Sequence, residues 1–193
     1  MKNTVVSTII AKSIKLTIFL LFVFFANVIS ISQEVSFLFM GDIMGHGPQI
    51  RAAYQDSSKT YNYNEVFSPL KELASSVDFA IANLEVTLAG PPFEGYPKFS
   101  SPDELAVACK NNGIDALVTA NNHSCDRGDE GLIRTINVLD SLSIKHTGTF
   151  SDYNYRDSLN LLVFSKDDIN IGLLNYTYGT NLSLIHISEP TRP

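Results

Sequence analysis

Three short apolar stretches of the sequence each end in polar residues of the kinds that bind divalent metal ions. The first ends in Gly41-Asp42-Ile43-Met44, the second in Asn83-Leu84-Glu85 and the third in Asn121-Asn122-His123. Their carboxylate, amide and imidazole groups suit a hard or borderline ion such as Mn²⁺, Mg²⁺, Fe²⁺ or Zn²⁺. Two such ions can clamp the attacking and leaving oxygens of a phosphoester, and a neighbouring imidazole can protonate the leaving group. The residue types therefore point to metal-assisted phosphoester chemistry.

The stretches that precede these residues are predicted to be buried β-strands over residues 35–40, 77–82 and 114–119. In an open parallel sheet, ligands bind at the carboxyl ends of the strands. If the three strands share one such sheet, their polar ends converge on a common edge. The sequence therefore predicts a single site rather than three unrelated loops.

Amphipathic segments alternate with the strands, which predicts an α/β fold with a largely parallel sheet and flanking helices. Helices are predicted over residues 48–55, 68–75, 101–112 and 129–142, a fourth strand over 144–150, and an antiparallel hairpin from 159–164 and 169–176. Ser101-Pro102-Asp103-Glu104 is typical of a capping box at the start of the third helix.

The strand-end motifs resemble those of a known family. Gly41-Asp42-Ile43-Met44, Asn83-Leu84-Glu85 and Ala120-Asn121-Asn122-His123-Ser124-Cys125-Asp126-Arg127-Gly128 are similar to the first three motifs of the CapA family, the bacterial capsule or poly-γ-glutamate synthesis proteins. The resemblance runs from about Val35 to Asn181. It implies the layered sheet with flanking helices of the calcineurin-like metallophosphoesterases, here expected to be C-terminally truncated because the later histidine motifs of the family are absent.

The resemblance also implies a role for each matching residue. Asp42 would be a metal ligand, Glu85 would stand where phosphoesterases use a bridging carboxylate, and Asn122 would be an amide ligand. His123 would be the catalytic acid beside the leaving oxygen. The implied cofactor is a divalent metal ion (Mn, Mg, Fe or Zn), or two of them in the full-length protein.

Each of these residues also has a structural interpretation that the sequence leaves open. Asp42 could cap the following turn, and Glu85 on its own could be a solvated loop residue. Asn121-Asn122 could be plain turn formers, and His123 could be a structural histidine. Asn83 is expected to brace its loop through backbone hydrogen bonds rather than bind metal. Asp126 is expected to cap a helix or to orient His123.

Other histidines and the cysteines add little chemistry. Phosphoesterases carry a histidine two residues after the first aspartate, where this sequence has Met44, and His46 is the candidate substitute. His146 has no motif around it and is expected to be structural or on the surface. Cys109 and Cys125 are predicted to be free thiols, because the strand between them separates them by more than about 10 Å.

The N-terminal 32 residues are predicted to be a signal peptide or an N-terminal anchor. Lys2, Lys12 and Lys15 precede the uncharged apolar run Leu16–Ile31, which is the pattern of a secretory signal. A core helix is the remaining alternative. The protein is therefore expected to be exported to the periplasm or the cell surface. Residues 182–193 resume no pattern and are predicted to be a foreign read-through tail, which leaves residues 33–181 as a partial CapA-type domain.

The composition limits the classes of molecule that the protein is expected to bind. The formal net charge of −6 and the pI of about 5.1 argue against nucleic acid, and the hydrophobic content of 45% is enough to bury a core. The expected partner is an anionic surface polymer or a phosphoester substrate, with membrane contact only through the N-terminal segment.

Three functional hypotheses follow. The first is an exported CapA-type protein in the biosynthesis or export of a capsule or poly-γ-glutamate-like polymer. The alternatives are a secreted metal-dependent phosphoesterase and a non-catalytic scaffold of the same fold. The 193-residue chain itself is expected to be inactive and poorly folded, because its sheet should keep an open apolar edge.

Overall fold

The computed structural model describes residues 12–20 and 33–181. Residues 12–20 form a helix of exposed residues, in a unit separate from the one that begins at Val35. Within the described residues, no helix is long and apolar enough to cross a membrane. Most of the predicted signal or anchor and all of the predicted tail lie outside the described residues, so both stay predictions.

The larger unit is built around a parallel sheet. In chain order its elements are β1 (Phe37–Ile43), α1 (Gly47–Ala53), β2 (Tyr54–Gln55), β3 (Thr60–Tyr61), α2 (Asn64–Phe67), a 3₁₀ turn (Ser68–Leu70), α3 (Lys71–Ser75), β4 (Phe79–Leu84), α4 (Glu104–Asn111), β5 (Ala116–Val118), α5 (Gly128–Ser141), β6 (Lys145–Thr147), α6 (Tyr153–Leu159), β7 (Leu162–Lys166) and β8 (Ile169–Leu173). Strands β1, β4, β5 and β6 pair in that order, all parallel. β7 and β8 form an antiparallel hairpin, and β2 and β3 a short ribbon. The predicted α/β class, parallel sheet and final hairpin are confirmed.

Several local predictions differ from the structure: the helix predicted over 48–55 ends at Ala53 and is followed by β2, and the helix predicted over 68–75 begins with a 3₁₀ turn. The capping box is wrong: Asp103 is the residue before α4, and the Ser101 hydroxyl is buried with no hydrogen-bond partner among the described residues. The reason is that the Ser101 backbone N–H is bonded to the Thr87 carbonyl, which holds Ser101 in the preceding loop. Helix α6 was not predicted because its residues stay exposed or half-buried and show no apolar stripe. Its sequence signal is Asp152, which accepts a hydrogen bond from the Tyr155 N–H at 2.9 Å.

Both faces of the sheet are covered. Leu84, Leu117 and Leu139 belong to the cluster on the helical side, and Phe164 of the hairpin packs with Ile81 and other residues in a second cluster. Because side chains alternate along a strand, Ile81 and Leu84 lie on opposite faces. This double burial explains why the strands are nearly continuous apolar runs. The two cysteines are free and buried, as predicted.

Strand β1 is an edge strand of the described sheet. It pairs with β4 on one side, and the Phe39 side chain is 65% exposed. A cavity of about 510 Å³ adjoins β1, with Met40, Met44 and Phe67 among its lining residues. The open apolar edge expected from the sequence is therefore present within the described part of the chain.

Asp78 ties the hairpin to the start of β4. Its carboxylate lies 2.7 Å from the Lys166 ammonium and accepts hydrogen bonds of 2.8 Å from both the backbone N–H and the hydroxyl of Ser36. The bond to Lys166 and the two bonds from Ser36 lower the pKa of Asp78 to about 2. One side chain thus joins the ends of β1, β4 and β7.

We predict that Asp78→Asn destabilises the protein in a pH-dependent way. Because the pKa is lowered in the folded state, the carboxylate stabilises the fold above its ordinary pKa of 3.8 and loses that effect as the pH falls toward 2. Unfolding midpoints of the variant should lie below those of the parent at pH 7 and converge with them near pH 2. Asp168→Asn, an exposed change in the same hairpin, should follow the parent throughout. A difference that stays constant with pH would contradict this account.

Candidate metal centre

A one-residue bulge in β1 sets the direction of Asp42. Met40 pairs with Ala82, but Asp42 pairs with Asn83, so Gly41 is the extra residue. Without the bulge, Asp42 would pair with Leu84, which is buried among the helices. The bulge therefore moves Asp42 from the core face to the face that carries Asn83.

Asp42 and Glu85 form a pair of carboxyl groups at the ends of β1 and β4. The Asn83 amide nitrogen donates to Asp42 Oδ1 at 2.8 Å and to Glu85 Oε2 at 3.2 Å. Burial raises the pKa of Glu85, a hydrogen bond to Asp42 and the charge of Asp42 raise it further, and His123 lowers it. Two acids in contact favour a shared proton or a shared cation.

Asn121 braces the turn that follows β5. Its amide nitrogen donates to Asn83 Oδ1 at 3.1 Å and to the Leu84 carbonyl at 2.9 Å, and its Oδ1 accepts the His123 N–H at 3.0 Å. Asn122 is exposed at the tip of this turn, and its carbonyl accepts the Asn181 N–H at 2.7 Å. The third strand end therefore meets the other two, through Asn121.

His123 forms a buried dyad with Asp126. Its Nδ1 lies 2.7 Å from Asp126 Oδ2, and the same oxygen accepts the Phe99 N–H at 2.8 Å. An ionised carboxylate can only accept, so Nδ1 donates to Asp126, and Nε2 is the other ring nitrogen, 3.4 Å from the amide nitrogen of Asn181. The dyad bears out the interpretation that Asp126 orients His123. Asp126 Oδ1 is buried with no hydrogen-bond partner among residues 33–181.

Two further residues lie beside His123 at the rim, which is the edge of the sheet formed by the strand ends at Asp42, Glu85 and Asn121. Phe99 packs edge-on against His123, with ring centroids 4.6 Å apart, and the Asn181 amide nitrogen lies 3.2 Å from His123 Nδ1. Sequence reasoning missed both. Phe99 lies in a loop rich in proline and glycine, and Asn181 in a segment with no recognisable pattern, so neither carried a signal.

The other candidate side chains have structural positions. His46 precedes α1 and packs edge-on against Phe99, with centroids 5.0 Å apart. His146 is buried on β6 with its Nε2 3.1 Å from Asp140 Oδ1, in agreement with a structural role. Cys125 is buried, and burial raises the pKa of its thiol, so it packs as expected.

Comparison with protein-family models shows which family the chain belongs to. The family model described as bacterial capsule synthesis protein PGA_cap matches residues 36–191. The chain belongs to this capsule synthesis family. The resemblance drawn from the strand-end motifs is thereby confirmed. Among curated proteins, none matches the chain.

The family match also bears on the domain limits. It begins beside β1 and runs past Asn181 into the segment predicted to be a foreign tail. That segment lies outside the described residues, so the origin of the tail stays a prediction.

The donor set of this capsule synthesis protein fits one cation that prefers oxygen ligands. Across residues 12–20 and 33–181, no group of three histidine, cysteine, aspartate or glutamate side chains is placed to hold a metal ion. Asp42 and Glu85 supply two carboxylates, whereas the exposed Asn122 side chain makes no hydrogen bond to either acid within residues 33–181, so the structure shows two of the three expected ligands together. Mg²⁺ is typically bound by few protein ligands, and water molecules complete its coordination shell. Mn²⁺ has the same preference for oxygen ligands, whereas Zn²⁺ prefers nitrogen and sulfur.

We predict opposite effects of Glu85→Gln on stability and on metal affinity. Removing one charge relieves the repulsion from Asp42, so the thermal midpoint of the metal-free protein should rise at pH 7. Binding of Mn²⁺ in calorimetric titration should weaken at least about tenfold, because a carboxylate ligand is lost. The exposed Glu34→Gln, which lies outside any helix or strand, is the matched control and should change neither. A lower midpoint or an unchanged affinity for Glu85→Gln would contradict the carboxylate-pair interpretation.

Proposed function

We propose that this capsule synthesis protein binds one divalent cation through Asp42, Glu85 and Asn122, and uses it to engage an anionic group of a surface polymer or of its phosphoester precursor. The observation that carries the proposal is that the carboxyl groups of Asp42 and Glu85 both lie within hydrogen-bonding distance of one amide nitrogen, at a strand-end rim that also holds the His123–Asp126 dyad. Membership of the capsule synthesis family supports the biological setting.

A bound cation would explain how an acidic protein can engage an anionic polymer. A chain with a net charge of −6 repels a polyanion, and the paired acids add to that repulsion locally. A bound divalent ion would neutralise developing or resident negative charge at the rim and draw an anionic group toward it. Asp42 and Glu85 hold the ion in this proposal, and the exposed Asn122 completes its protein ligands.

His123 has the geometry of a proton donor. Asp126 accepts from Nδ1 and, as a buried carboxylate, holds the ring in one orientation. Phe99 packs edge-on to the ring and the backbone N–H of Phe99 holds Asp126, so the orientation of the imidazole is fixed from two sides. The proton available for transfer is the one on Nε2.

Phosphoester hydrolysis is the second candidate function, favoured by the dyad itself. A polymer-binding scaffold needs the carboxylates and the cation but no imidazole with a fixed tautomer. A buried carboxylate that orients a histidine is the arrangement that general acid catalysis requires. The two candidates therefore differ in what His123 does, while they share the cation site.

Export is also part of the proposal. The lysines before Leu16–Ile31 form the pattern of a secretory signal, and a capsule is assembled at the cell surface. A poly-γ-glutamate-like polymer is the substrate class that the CapA resemblance favours. Fractionation of cells that express the intact gene, followed by N-terminal sequencing of the protein, tests export and cleavage together.

The measurement that separates the two candidate functions is Mn²⁺-dependent hydrolysis of p-nitrophenyl phosphate by the whole protein. His123→Asn should lower the rate about 10²–10⁴-fold, the range of a general acid, and leave Mn²⁺ affinity within a few fold. His46→Asn is the matched control, because both rings touch Phe99 edge-on but His123 is the one bonded to Asp126. It should retain the parent rate.

The alternatives give distinct results in the same assay. Mn²⁺ binding without hydrolysis of the ester, together with Mn²⁺-dependent retention on poly-γ-glutamate, would support a polymer-binding role. Equal rates for the parent and His123→Asn would remove the proton-donor role. Failure of the parent to bind Mn²⁺ at millimolar concentration would overturn the proposed cation site and leave the scaffold hypothesis.

A further inference from the structure

We infer that Asn83 is a positioning residue that holds the carboxylates of Asp42 and Glu85 at the spacing one cation needs, and that Asn121 fixes the orientation of its amide. The inference rests on the proposed cation site and adds residues to which that proposal gives no role. It also replaces the expectation that Asn83 braces its loop through backbone hydrogen bonds.

The contacts of the Asn83 amide nitrogen are directed at both acids. One nitrogen carries two hydrogens, and its acceptors are Asp42 Oδ1 at 2.8 Å and Glu85 Oε2 at 3.2 Å. A primary amide can serve two acceptors in this way, whereas a hydroxyl has one hydrogen to donate. Each carboxylate gives one oxygen to Asn83 and keeps its second oxygen, Oδ2 of Asp42 and Oε1 of Glu85, for other interactions.

Asn121 determines which end of the Asn83 amide faces the acids. The Asn121 nitrogen donates to Asn83 Oδ1 at 3.1 Å and to the Leu84 carbonyl at 2.9 Å, and the residue is 7% exposed. Reversing the Asn83 amide would place its oxygen against two carboxylate oxygens and its nitrogen against the nitrogen of Asn121. The network therefore admits one orientation.

The uncharged character of Asn83 matters for a cation. An aspartate would add a third negative charge, and a lysine would cancel one of the two charges and compete with the metal. An amide donates to both acids and leaves their charge in place. The spacing of the carboxylates is thus fixed while their attraction for a divalent ion is preserved.

The same amides connect the acids to His123. Asn121 Oδ1 accepts the His123 N–H at 3.0 Å, so a chain of side-chain amides runs from Asp42 and Glu85 through Asn83 and Asn121 to the turn that carries the imidazole. Outer-shell partners of this kind orient metal ligands in proteins. The chain links the proposed ligands and the proton donor in one hydrogen-bonded unit.

The test is a calorimetric titration of Mn²⁺ into the whole protein and its Asn83 variants, with thermal midpoints of the metal-free forms. Asn83→Leu keeps the size and removes both donors, so Mn²⁺ affinity should fall about 10–100-fold. Asn83→Ser, which can serve one acid, should fall between the parent and Asn83→Leu. The exposed Asn111→Leu on α4 makes the same chemical change elsewhere and should keep the parent affinity.

The Asn83→Asp variant adds a second measurement, the shift in thermal midpoint caused by Mn²⁺, which a purely structural role of Asn83 would leave unchanged. The added charge should lower the metal-free midpoint, and saturating Mn²⁺ should raise the midpoint of this variant by more than it raises that of the parent. If Asn83→Leu does not fold, Asn83→Ser decides the question by the same loss of Mn²⁺ affinity.

The outcomes separate this inference from the proposed function. Parent-like Mn²⁺ affinity in Asn83→Leu or Asn83→Ser, with a loss in Glu85→Gln, would overturn the positioning role and leave the cation site standing. Absence of Mn²⁺ binding in the parent would overturn both. Loss of affinity in Asn83→Leu and retention in Asn111→Leu is the expected result.

Discussion

The contact between the carboxyl groups of Asp42 and Glu85 is the constraint around which the rim is arranged. Like charges in contact are unfavourable, and burial adds to the cost of ionising Glu85. Both acids accept a hydrogen bond from the neutral amide of Asn83. Neutral donation moderates the repulsion without cancelling it, so the end of the sheet keeps a concentrated negative charge.

Ion pairs secure the long loop between β4 and α4, which carries Phe99 to the part of the rim that holds His123. Arg134 forms a two-pronged bond to Asp103 at 2.7 and 2.8 Å, and Arg127 reaches Glu94 at 2.8 Å. Both arginines belong to α5 or the residue before it, so the loop is fixed to the helix that follows the β5 turn. That attachment brings the backbone N–H of Phe99 within reach of the dyad carboxylate. His123 is therefore oriented by a loop, and Asp42 and Glu85 are placed by strand ends.

The sequence predicted the fold better than the details of the site, for physical reasons. Buried parallel strands are continuous apolar runs, and polar residues at their ends are conspicuous, so the class, the sheet and the meeting of Asp42 with Glu85 were accessible. Positions set by tertiary packing were not: Phe99 reaches the dyad through loop anchoring, and the Ser101 capping box gave way to a backbone bond with the loop. The amide role of Asn83 depends on strand register, which a bulge at Gly41 shifts by one residue.

The cost of the acid pair is itself an argument for a cation. A glutamine in place of Glu85 would keep the size and a hydrogen-bond partner for Asn83 while it removed the repulsion. Keeping both acids in contact gives no advantage in stability. Unfavourable interactions of this kind are found most often at functional sites. A divalent ion reverses the balance, because it converts the repulsion into shared ligation. The same reasoning separates this pair from Asp78, whose carboxylate lies against Lys166 and stabilises the fold without any ligand.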